Sequence, residues 1–255
     1  MKPYYQDEWV TIYNADCREI LPDLPKVDLV LTDPPYGTTA CSWDIVIPFE
    51  VMWELLLPLR KDKSPIVLFG SEPFASLLRA SNIKEYKYDW VWRKNRGSNF
   101  ATTKYQPMKE HETVSVFYTH NYYPIMQERT GGGIARVGYN FQPSNTGRRD
   151  TINGMVLTKD KTNLRQGNLR VPSSVQNFNT EVGLHPTQKP TLLMEYLIKT
   201  YTQDSGIVLD FALGSGATVL AALQTNRKCI GIEIEEKYCE IAANRCRQSV
   251  MTLNV

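Results

Sequence analysis

Short apolar runs that alternate with amphipathic stretches constrain the fold of this chain most. The runs VDLVLT (Val27–Thr32), PIVLFG (Pro65–Gly70), GIVLD (Gly206–Asp210) and KCIGIEI (Lys228–Ile234) are apolar along most of their length, as strands buried on both faces are. This alternation is typical of a doubly wound α/β domain with a mostly parallel sheet, which binds ligands where its strands end. The other elements predicted are strands at Tyr86–Trp92 and Thr113–Tyr118, a strand ending in YNADC, and helices at Phe49–Leu59, Phe74–Ala80, Pro190–Thr202, Ala217–Gln224 and Glu235–Gln248.

The alternation stops between residues 121 and 184. This stretch is rich in Gly, Asn, Thr and Arg and has little periodic apolar pattern, which favours a loop-rich insertion. We therefore predict three parts: residues 1–120, an inserted region 121–184, and residues 185–255.

Positive charge is concentrated in the inserted region. The 255-residue chain has a net charge of +2, but residues 129–170 hold eight Lys and Arg against two Asp, which is +6 and leaves −4 elsewhere. Such a local excess is typical of a polyanion-binding site. The alternative interpretation is a solvated basic loop.

Composition excludes several classes of protein. No apolar run approaches the ~18 residues of a membrane span. The start, MKPYYQDEWV, has no apolar signal core, so we expect a cytoplasmic protein. Five cysteines without a C-x-x-C pair, and three histidines, predict neither a disulfide framework nor a metal site.

A glycine turn follows the strand GIVLD. The sequence VLDFALGSGATVLAAL places Gly214 and Gly216 between Asp210, where the strand ends, and a helix that starts at Ala217. Glycines let a ligand approach the backbone, and the helix start offers free N–H donors. The next strand ends at Glu233, an acid suited to ribose hydroxyls. We predict nucleoside binding; without G-x-G-x-x-G, a dinucleotide and another adenosine cofactor both stay open.

The sequence TDPPYG follows the first apolar run. Asp33 ends the strand, and Pro34 and Pro35 fix two backbone angles and supply no N–H. The stiff turn offers the Asp33 carboxylate and the Pro34 carbonyl as acceptors, beside the ring of Tyr36. Two acceptors and a stacking ring suit a planar base with an exocyclic amino group. The alternative is a rigid loop in which Asp33 caps a helix.

Together with HPTQKP (His185–Pro190), these two turns resemble those of S-adenosylmethionine-dependent DNA amino-methyltransferases. DPPY comes first, then the insertion, then HPTQKP and the glycine turn, an order similar to that of the beta group. The resemblance runs from about Thr11 to Arg245. It implies a seven-stranded Rossmann-like sheet, with a catalytic half at 1–120, a target-recognition region at 121–184 and a cofactor-binding half at 185–255.

The resemblance also implies a reaction. Asp33 and the Pro34 carbonyl would hold the target amino group on the turn that Pro35 stiffens, and Tyr36 would stack on the base. Asp as the first motif residue favours adenine N6, so the implied reaction is N6 methylation of adenine in double-stranded DNA after base flipping. A cytosine-N4 or RNA base methyltransferase, and a catalytically silent nucleic-acid-binding module, are the alternatives.

The implied cofactor is S-adenosylmethionine. Glu233 would bind its ribose hydroxyls, Asp16 its adenine ring, and Thr187 and Lys189 would lie near its amino-acid end. The family usually has DPF-x-GSG-TT where this chain has DFALGSGAT, which loosens the expected pocket. The full implied set is Asp16, Cys17, Asp33, Thr187, Lys189, Asp210, Phe211, Ala212, Gly214, Ser215, Gly216, Glu233 and Ile234.

DNA contacts are expected from basic and aromatic side chains. Trp90 and Trp92 alternate along a strand and fit core packing equally well, and His111 fits a structural role. A homodimer and a companion restriction endonuclease stay open as partners. The predicted DNA-binding residues are Trp43, Arg93, Lys94, Arg96, Arg148, Arg149 and Arg165.

Overall fold

A computed structural model describes residues 1–39, 41, 43–118, 121–128, 151–152, 155–156 and 169–253. The chain divides into two compact units. The larger holds Met1–Tyr123 and Ser174–Val255, and the smaller is Pro124–Ser173. In the smaller unit, β7 (Gln127–Glu128) pairs with β10 (Leu169–Arg170), and β8 (Thr151–Ile152) pairs with β9 (Met155–Val156), both antiparallel.

The larger unit is built on one mixed sheet. Its described strands number nine, in the order β1-β2-β13-β12-β3-β4-β6-β5-β11, and five of the eight pairings are parallel. The strands are β1 (Tyr5–Gln6), β2 (Val10–Asn14), β3 (Leu29–Thr32), β4 (Ile66–Gly70), β5 (Tyr86–Ser98), β6 (Lys109–Phe117), β11 (Val175–Asn177), β12 (Ile207–Asp210) and β13 (Lys228–Glu233).

The seven strands that the sequence predicts are all present, but the predicted total of seven is too small. The two additional strands, β1 and β11, are the edges of the sheet and have two and three residues. Strands this short carry no readable apolar period, so the sequence does not reveal them.

Helices cover both faces of the sheet, as the apolar runs predict. The fourth, fifth and sixth helices pack on one face against side chains such as Leu29, Leu31 and Phe69, and the first three pack on the other against Val30 and Leu68. Alternate residues of one strand thus serve two cores. The helices are α1 (Cys17–Ile20), α2 (Phe49–Leu56), α3 (Phe74–Ser81), α4 (Thr191–Tyr201), α5 (Ala217–Gln224) and α6 (Glu236–Leu253).

The parallel strands bring distant polar residues to one edge. Strand β12 lies between β3 and β13, with Leu209 opposite Val30 and Asp210 opposite Gly231. Asp33, Asp210 and Glu233 therefore follow or end neighbouring strands at the carboxyl edge of the sheet. Among the described residues, no helix is long and apolar enough to cross a membrane.

Candidate active site

A cavity of about 280 Å³ opens at this carboxyl edge. The ends of β2, β3, β12 and β13 supply its walls, together with the segment that leads into α4. Most of the predicted site residues line it: Asp16, Cys17, Asp33, Pro34, Pro35, Tyr36, Trp43, Thr187, Lys189, Asp210, Phe211, Ala212, Gly214, Ser215, Glu233 and Ile234.

The Asp-Pro-Pro-Tyr turn presents its acceptors to this cavity. The Tyr36 hydroxyl donates a hydrogen bond to Asp33 Oδ1. The ring of Tyr36 packs against Phe74, with centroids 4.8 Å apart. The Pro34 carbonyl accepts no hydrogen bond from any described residue, as expected of an acceptor reserved for a ligand.

Asp33 belongs to a chain of four charged side chains. Lys189 Nζ donates to Asp33 Oδ2 and lies 3.4 Å from Glu112 Oε2, and Lys94 Nζ donates to Glu112 Oε1. Burial raises the pKa of Asp33, and the charge of Lys189 opposes that rise. Burial would lower the pKa of Lys189, but the charges of Asp33 and Glu112 outweigh it and raise that pKa. Lys189 is thus a buried cation held by two acids.

The two turn glycines differ in what they contact. Gly214 has φ +55°, and a Cβ built there would have no atom within 3.4 Å, the nearest being the His185 ring at 3.8 Å. Gly216 has φ +82°, does not line the cavity, and its Cβ would lie 2.7 Å from the Ala242 Cβ on α6. Gly216 is therefore required for helix packing, whereas Gly214 keeps the cavity wall open.

Buried acids hold the glycine turn in shape. Glu233 accepts hydrogen bonds from the backbone N–H groups of Gly214 (2.7 Å) and Glu235 (2.9 Å). Asp210 accepts from the Thr218 hydroxyl and the Ala212 N–H, and burial raises its pKa to about 7. A carboxylate has about four lone-pair sites, so Glu233 can still accept from a further donor such as a ribose hydroxyl.

Ser215 supplies a second sign of a ligand. Its hydroxyl oxygen is buried and has no hydrogen-bond partner among the described residues, although the residue lines the cavity. Buried polar atoms usually have partners. With the open wall at Gly214 and the spare lone pairs of Glu233, this hydroxyl fits a bound nucleoside with a polar tail.

Asp16 and Cys17 lie at the end of β2. Asp16 caps α1 by accepting from the Arg18 N–H and also binds the Arg18 guanidinium, which lowers its pKa. Burial raises the pKa of Cys17 to about 12, so its thiol is neutral and unreactive. Both residues line the cavity beside Glu233, where an adenosine would lie if Glu233 bound its ribose.

Aromatic rings close another side of the cavity. The ring of His185 lies between Trp43, at 5.1 Å between centroids, and Tyr238, at 4.2 Å. Burial, followed by the charges of Lys189 and Lys237, lowers the pKa of His185 to about 4, so this ring is neutral near pH 7.

The basic and aromatic residues considered for DNA contact differ in where they lie, and Trp43 lines the cavity. Arg93 and Arg96 are exposed on β5, whereas the side chain of Lys94 is only 13% exposed and is paired with Glu112. Lys94 therefore belongs to the buried charge cluster rather than to the exposed basic surface. Trp90 and Trp92 are 4% and 2% exposed and belong to the core. Arg148, Arg149 and Arg165 lie outside the described residues.

Sequence reasoning missed three residues that shape the site. Glu112 directly precedes the predicted apolar strand Thr113–Tyr118. Its charge at that position was the one feature of the sequence that could have indicated a role in the site. Asp44 accepts hydrogen bonds from the backbone N–H groups of residues 37–39 and so fixes the loop after the Asp-Pro-Pro-Tyr turn. Phe74 supports Tyr36; neither Asp44 nor Phe74 stands out in the sequence.

Acidic side chains dominate the cavity. Asp16, Asp33, Asp44, Glu112, Asp210 and Glu233 line it, against the two cations Arg18 and Lys189. This excess of acidic groups favours a ligand with net positive charge, such as an amino acid whose sulfonium and α-ammonium groups outnumber its single carboxylate.

The strand order and the cavity at the carboxyl ends of the strands are those of a Rossmann-like methyltransferase fold. The family model described as "DNA methylase" matches residues 27–244 and covers both N6 and N4 enzymes. The chain therefore belongs to the DNA methylase family.

Curated relatives agree with this membership. The Type II methyltransferase M.ScaI of Streptomyces caespitosus is 26% identical, over 99% of this chain and 86% of its own. The DNA adenine methyltransferase YhdJ of Escherichia coli K12 is 28% identical, over 94% and 84%.

Two solved structures share the fold. The M1.HpyAVI–SAM complex has a TM-score of 0.61 and 24% identity, covering 93% of this chain and 98% of its own. The cytosine-N4-specific PvuII DNA methyltransferase has a TM-score of 0.66 and 17% identity, covering 96% and 88%.

Proposed function

We propose that this enzyme transfers a methyl group from S-adenosylmethionine to the N6 amino group of adenine in double-stranded DNA. One observation carries the proposal: Asp33, at the end of β3, and Gly214, after β12, line the same cavity. Neighbouring parallel strands are about 4.8 Å apart. An amino group held by Asp33 and a cofactor over the glycine turn would therefore lie side by side.

The cofactor side of the cavity would hold the nucleoside and its amino-acid tail. Glu233 would bind the ribose hydroxyls, the Asp16 side the adenine, and Ser215, Thr187 and Lys189 would lie near the tail. When bound, S-adenosylmethionine supplies an electrophilic methyl group on a sulfonium. The protein contributes alignment and electrostatics, because the reaction needs nucleophile, methyl and sulfur in line.

The Asp-Pro-Pro-Tyr side would hold the target base. Adenine N6 is a weak nucleophile because its lone pair is delocalised into the ring. Acceptance of its two hydrogens by Asp33 and the Pro34 carbonyl would favour a pyramidal nitrogen, and the carboxylate would stabilise the positive charge that develops there. Tyr36 would stack on the base. A base in a duplex reaches this cavity only by flipping, at a cost of a few kcal/mol.

The hairpin of β5 and β6 is the described surface that best suits the DNA. Strand β4 ends at Gly70, which lies opposite Thr113 of β6, and Thr113 lies opposite Val91 of β5. The part of the hairpin between Val91 and Thr113 therefore extends past the sheet edge that holds Asp33. Its tip exposes Phe100 (80%) and Tyr105 (89%). Exposed basic residues accompany these rings: Arg93, Arg96 and Lys104. Cations for phosphates and rings for bases are the features that nucleic-acid surfaces combine.

This surface is tested by the salt dependence of DNA binding. Replacing Arg93 and Arg96 with Ala should reduce the slope of log K against log salt by about 1 for each phosphate that the variant no longer neutralises. An unchanged slope and affinity would place the DNA elsewhere.

Product analysis tests the target atom. The enzyme is incubated with unmethylated double-stranded DNA and S-adenosylmethionine, and the digested nucleosides are identified by mass spectrometry. We expect N6-methyladenine. N4-methylcytosine would establish the other activity that the family model covers, transfer to RNA alone would replace DNA as substrate, and no transfer would favour a silent binding module.

Asp33→Ala tests the assignment of roles. The variant should bind S-adenosylmethionine as the wild type does in calorimetry, because Asp33 faces the target, yet lose methyl transfer by about 100-fold or more. Asp62→Ala, an exposed aspartate in the loop after α2, is the matched control and should keep full activity. Near wild-type turnover by Asp33→Ala would refute this mechanism.

Four further predictions remain part of the proposal. The inserted region 121–184 would read the DNA sequence, with Arg148, Arg149 and Arg165 as candidate contacts. The Type II name of M.ScaI supports a companion restriction endonuclease, and a homodimer is the assembly to test by light scattering. The cytoplasm is the compartment in which such an enzyme meets DNA.

A further inference from the structure

The charge cluster behind Asp33 holds one carboxylate oxygen that accepts no hydrogen bond from the described residues. It comprises Lys94 on β5, Glu112 on β6, Lys189 before α4, and Asp33. Their side chains are 13%, 13%, 7% and 21% exposed. Glu112 Oε2 is buried and makes no hydrogen bond to any described residue, and its nearest charge is Lys189 Nζ at 3.4 Å. A buried carboxylate oxygen left in this way is costly.

Lys189 meanwhile weakens the carboxylate that the proposed reaction needs. Its ammonium donates to Asp33 Oδ2 while the Tyr36 hydroxyl donates to Oδ1. The target nitrogen becomes positive as the methyl group arrives. A carboxylate already neutralised by an ammonium would stabilise that charge poorly, and the ammonium itself would repel it.

Glu112 is placed to relieve this conflict. A movement of Lys189 Nζ by about 0.5 Å would bring it within the usual N–H···O distance of Glu112 Oε2. Lys94 fixes the acceptor by binding the other oxygen, Oε1. An ammonium has three donors, so Lys189 can change partner without becoming unpaired, and it stays protonated throughout.

We propose that Glu112 is a positioning residue that takes the Lys189 ammonium from Asp33 when the target amino group binds. Asp33 then faces the reacting nitrogen with its full negative charge. Glu112 lines the cavity, but in this arrangement it acts through Lys189 and not by contact with the reacting atoms. The inference rests on the proposed function, because it assigns Asp33 to the target amino group.

Glu112→Gln tests the charge while keeping the shape. At saturating S-adenosylmethionine and DNA, we expect kcat to fall about 10- to 100-fold, with both KM values within about twofold of wild type. The thermal midpoint should also fall, because Lys94 and Lys189 lose a buried charged partner. Glu85→Gln is the matched control, since Glu85 pairs with Lys87, also at 3.4 Å, on the surface. It should leave kcat unchanged.

Two additional variants separate positioning from a merely structural role. Glu112→Gln introduced into Lys189→Met should change kcat little, because Glu112 acts only through the lysine. Glu112→Asp, which keeps the charge on a shorter stem, should retain more activity than Glu112→Gln.

The wild-type rate in the same assay distinguishes the two levels of the proposal. A wild type that transfers no methyl group refutes the proposed function. An active wild type overturns the role of Glu112 alone if Glu112→Gln keeps kcat within twofold, if its effect is the same with and without Lys189, or if Glu112→Asp is the less active variant.

Discussion

The two glycines of the cofactor turn should fail in different ways when each receives a methyl group. In Gly216→Ala the new Cβ would lie 2.7 Å from the Ala242 Cβ and 3.0 Å from both the Ala242 Cα and a Val219 methyl, at φ +82°. A left-handed backbone costs about 1–2 kcal/mol for a residue with a Cβ, and overpacking about 1–3 kcal/mol. The expected loss of folding free energy is therefore about 2–5 kcal/mol.

Gly214→Ala carries only the first of these costs. At φ +55° its Cβ would have no close neighbour and would project beside His185 into the cavity wall. The loss of stability should be about 1–2 kcal/mol. The affinity for S-adenosylmethionine should fall about tenfold or more, since about 1.4 kcal/mol of binding free energy is a factor of ten in Kd.

Thermal unfolding and calorimetry measure the two quantities on the same samples. For a chain of this size each kcal/mol shifts Tm by about 2–4 °C, so Gly216→Ala should lower Tm on the order of 10 °C and Gly214→Ala by about 4 °C. In protein that remains folded, Gly214→Ala should lose more affinity for S-adenosylmethionine than Gly216→Ala. A Gly216→Ala variant of normal Tm, or a Gly214→Ala variant of normal affinity, would refute this reasoning.

Three further outcomes are expected. Burial, followed by the charges of Lys189 and Lys237, lowers the pKa of His185 to about 4. The neutral ring therefore contributes its full stability above pH 6.5, and this contribution is lost as the pH falls towards 4. His185→Gln should flatten the pH dependence of the unfolding free energy between these values. Burial raises the pKa of Cys17 to about 12, whereas Cys41 is half-buried; a short iodoacetamide pulse at pH 8, read by peptide mass spectrometry, should label Cys41 and spare Cys17, and the reverse order would contradict this. Asp44→Ala leaves three backbone N–H groups without their acceptor, so it should cost about 1–3 kcal/mol and speed amide exchange at residues 37–39; unchanged exchange would exclude this capping role.

The parts of the site that are local in sequence could be predicted from sequence alone. The turns at Asp33 and Gly214 each follow a strongly apolar strand, and proline or glycine restricts what the backbone can do there. The roles of Glu112 and Gly216 could not be predicted, because they depend on partners far along the chain, Lys189 and Ala242.

Ambiguous patterns were resolved only by the packing of the sheet. The alternation of Trp90 and Trp92 fits either a core or a DNA surface. Residues that pack on that face of the sheet bury both rings: Tyr196 and Tyr201 of α4 contact Trp90, and Phe178 accepts a hydrogen bond from Trp92. The side chain of Lys94 projects to the face of β5 opposite that of its neighbour Arg93, and it is buried with Glu112. A count of basic residues in the sequence does not reveal this difference.

The last two strands, β12 and β13, lie between β2 and β3, although they are synthesised long after them. A nascent chain that has reached only α4 therefore holds β2 and β3 as open edges with unpaired backbone donors and acceptors. Such edges invite pairing with other polypeptides. A chain that terminates before Ile207 should therefore be prone to aggregation and depend on chaperones. Strands β12 and β13 must be synthesised before they can pair between β2 and β3.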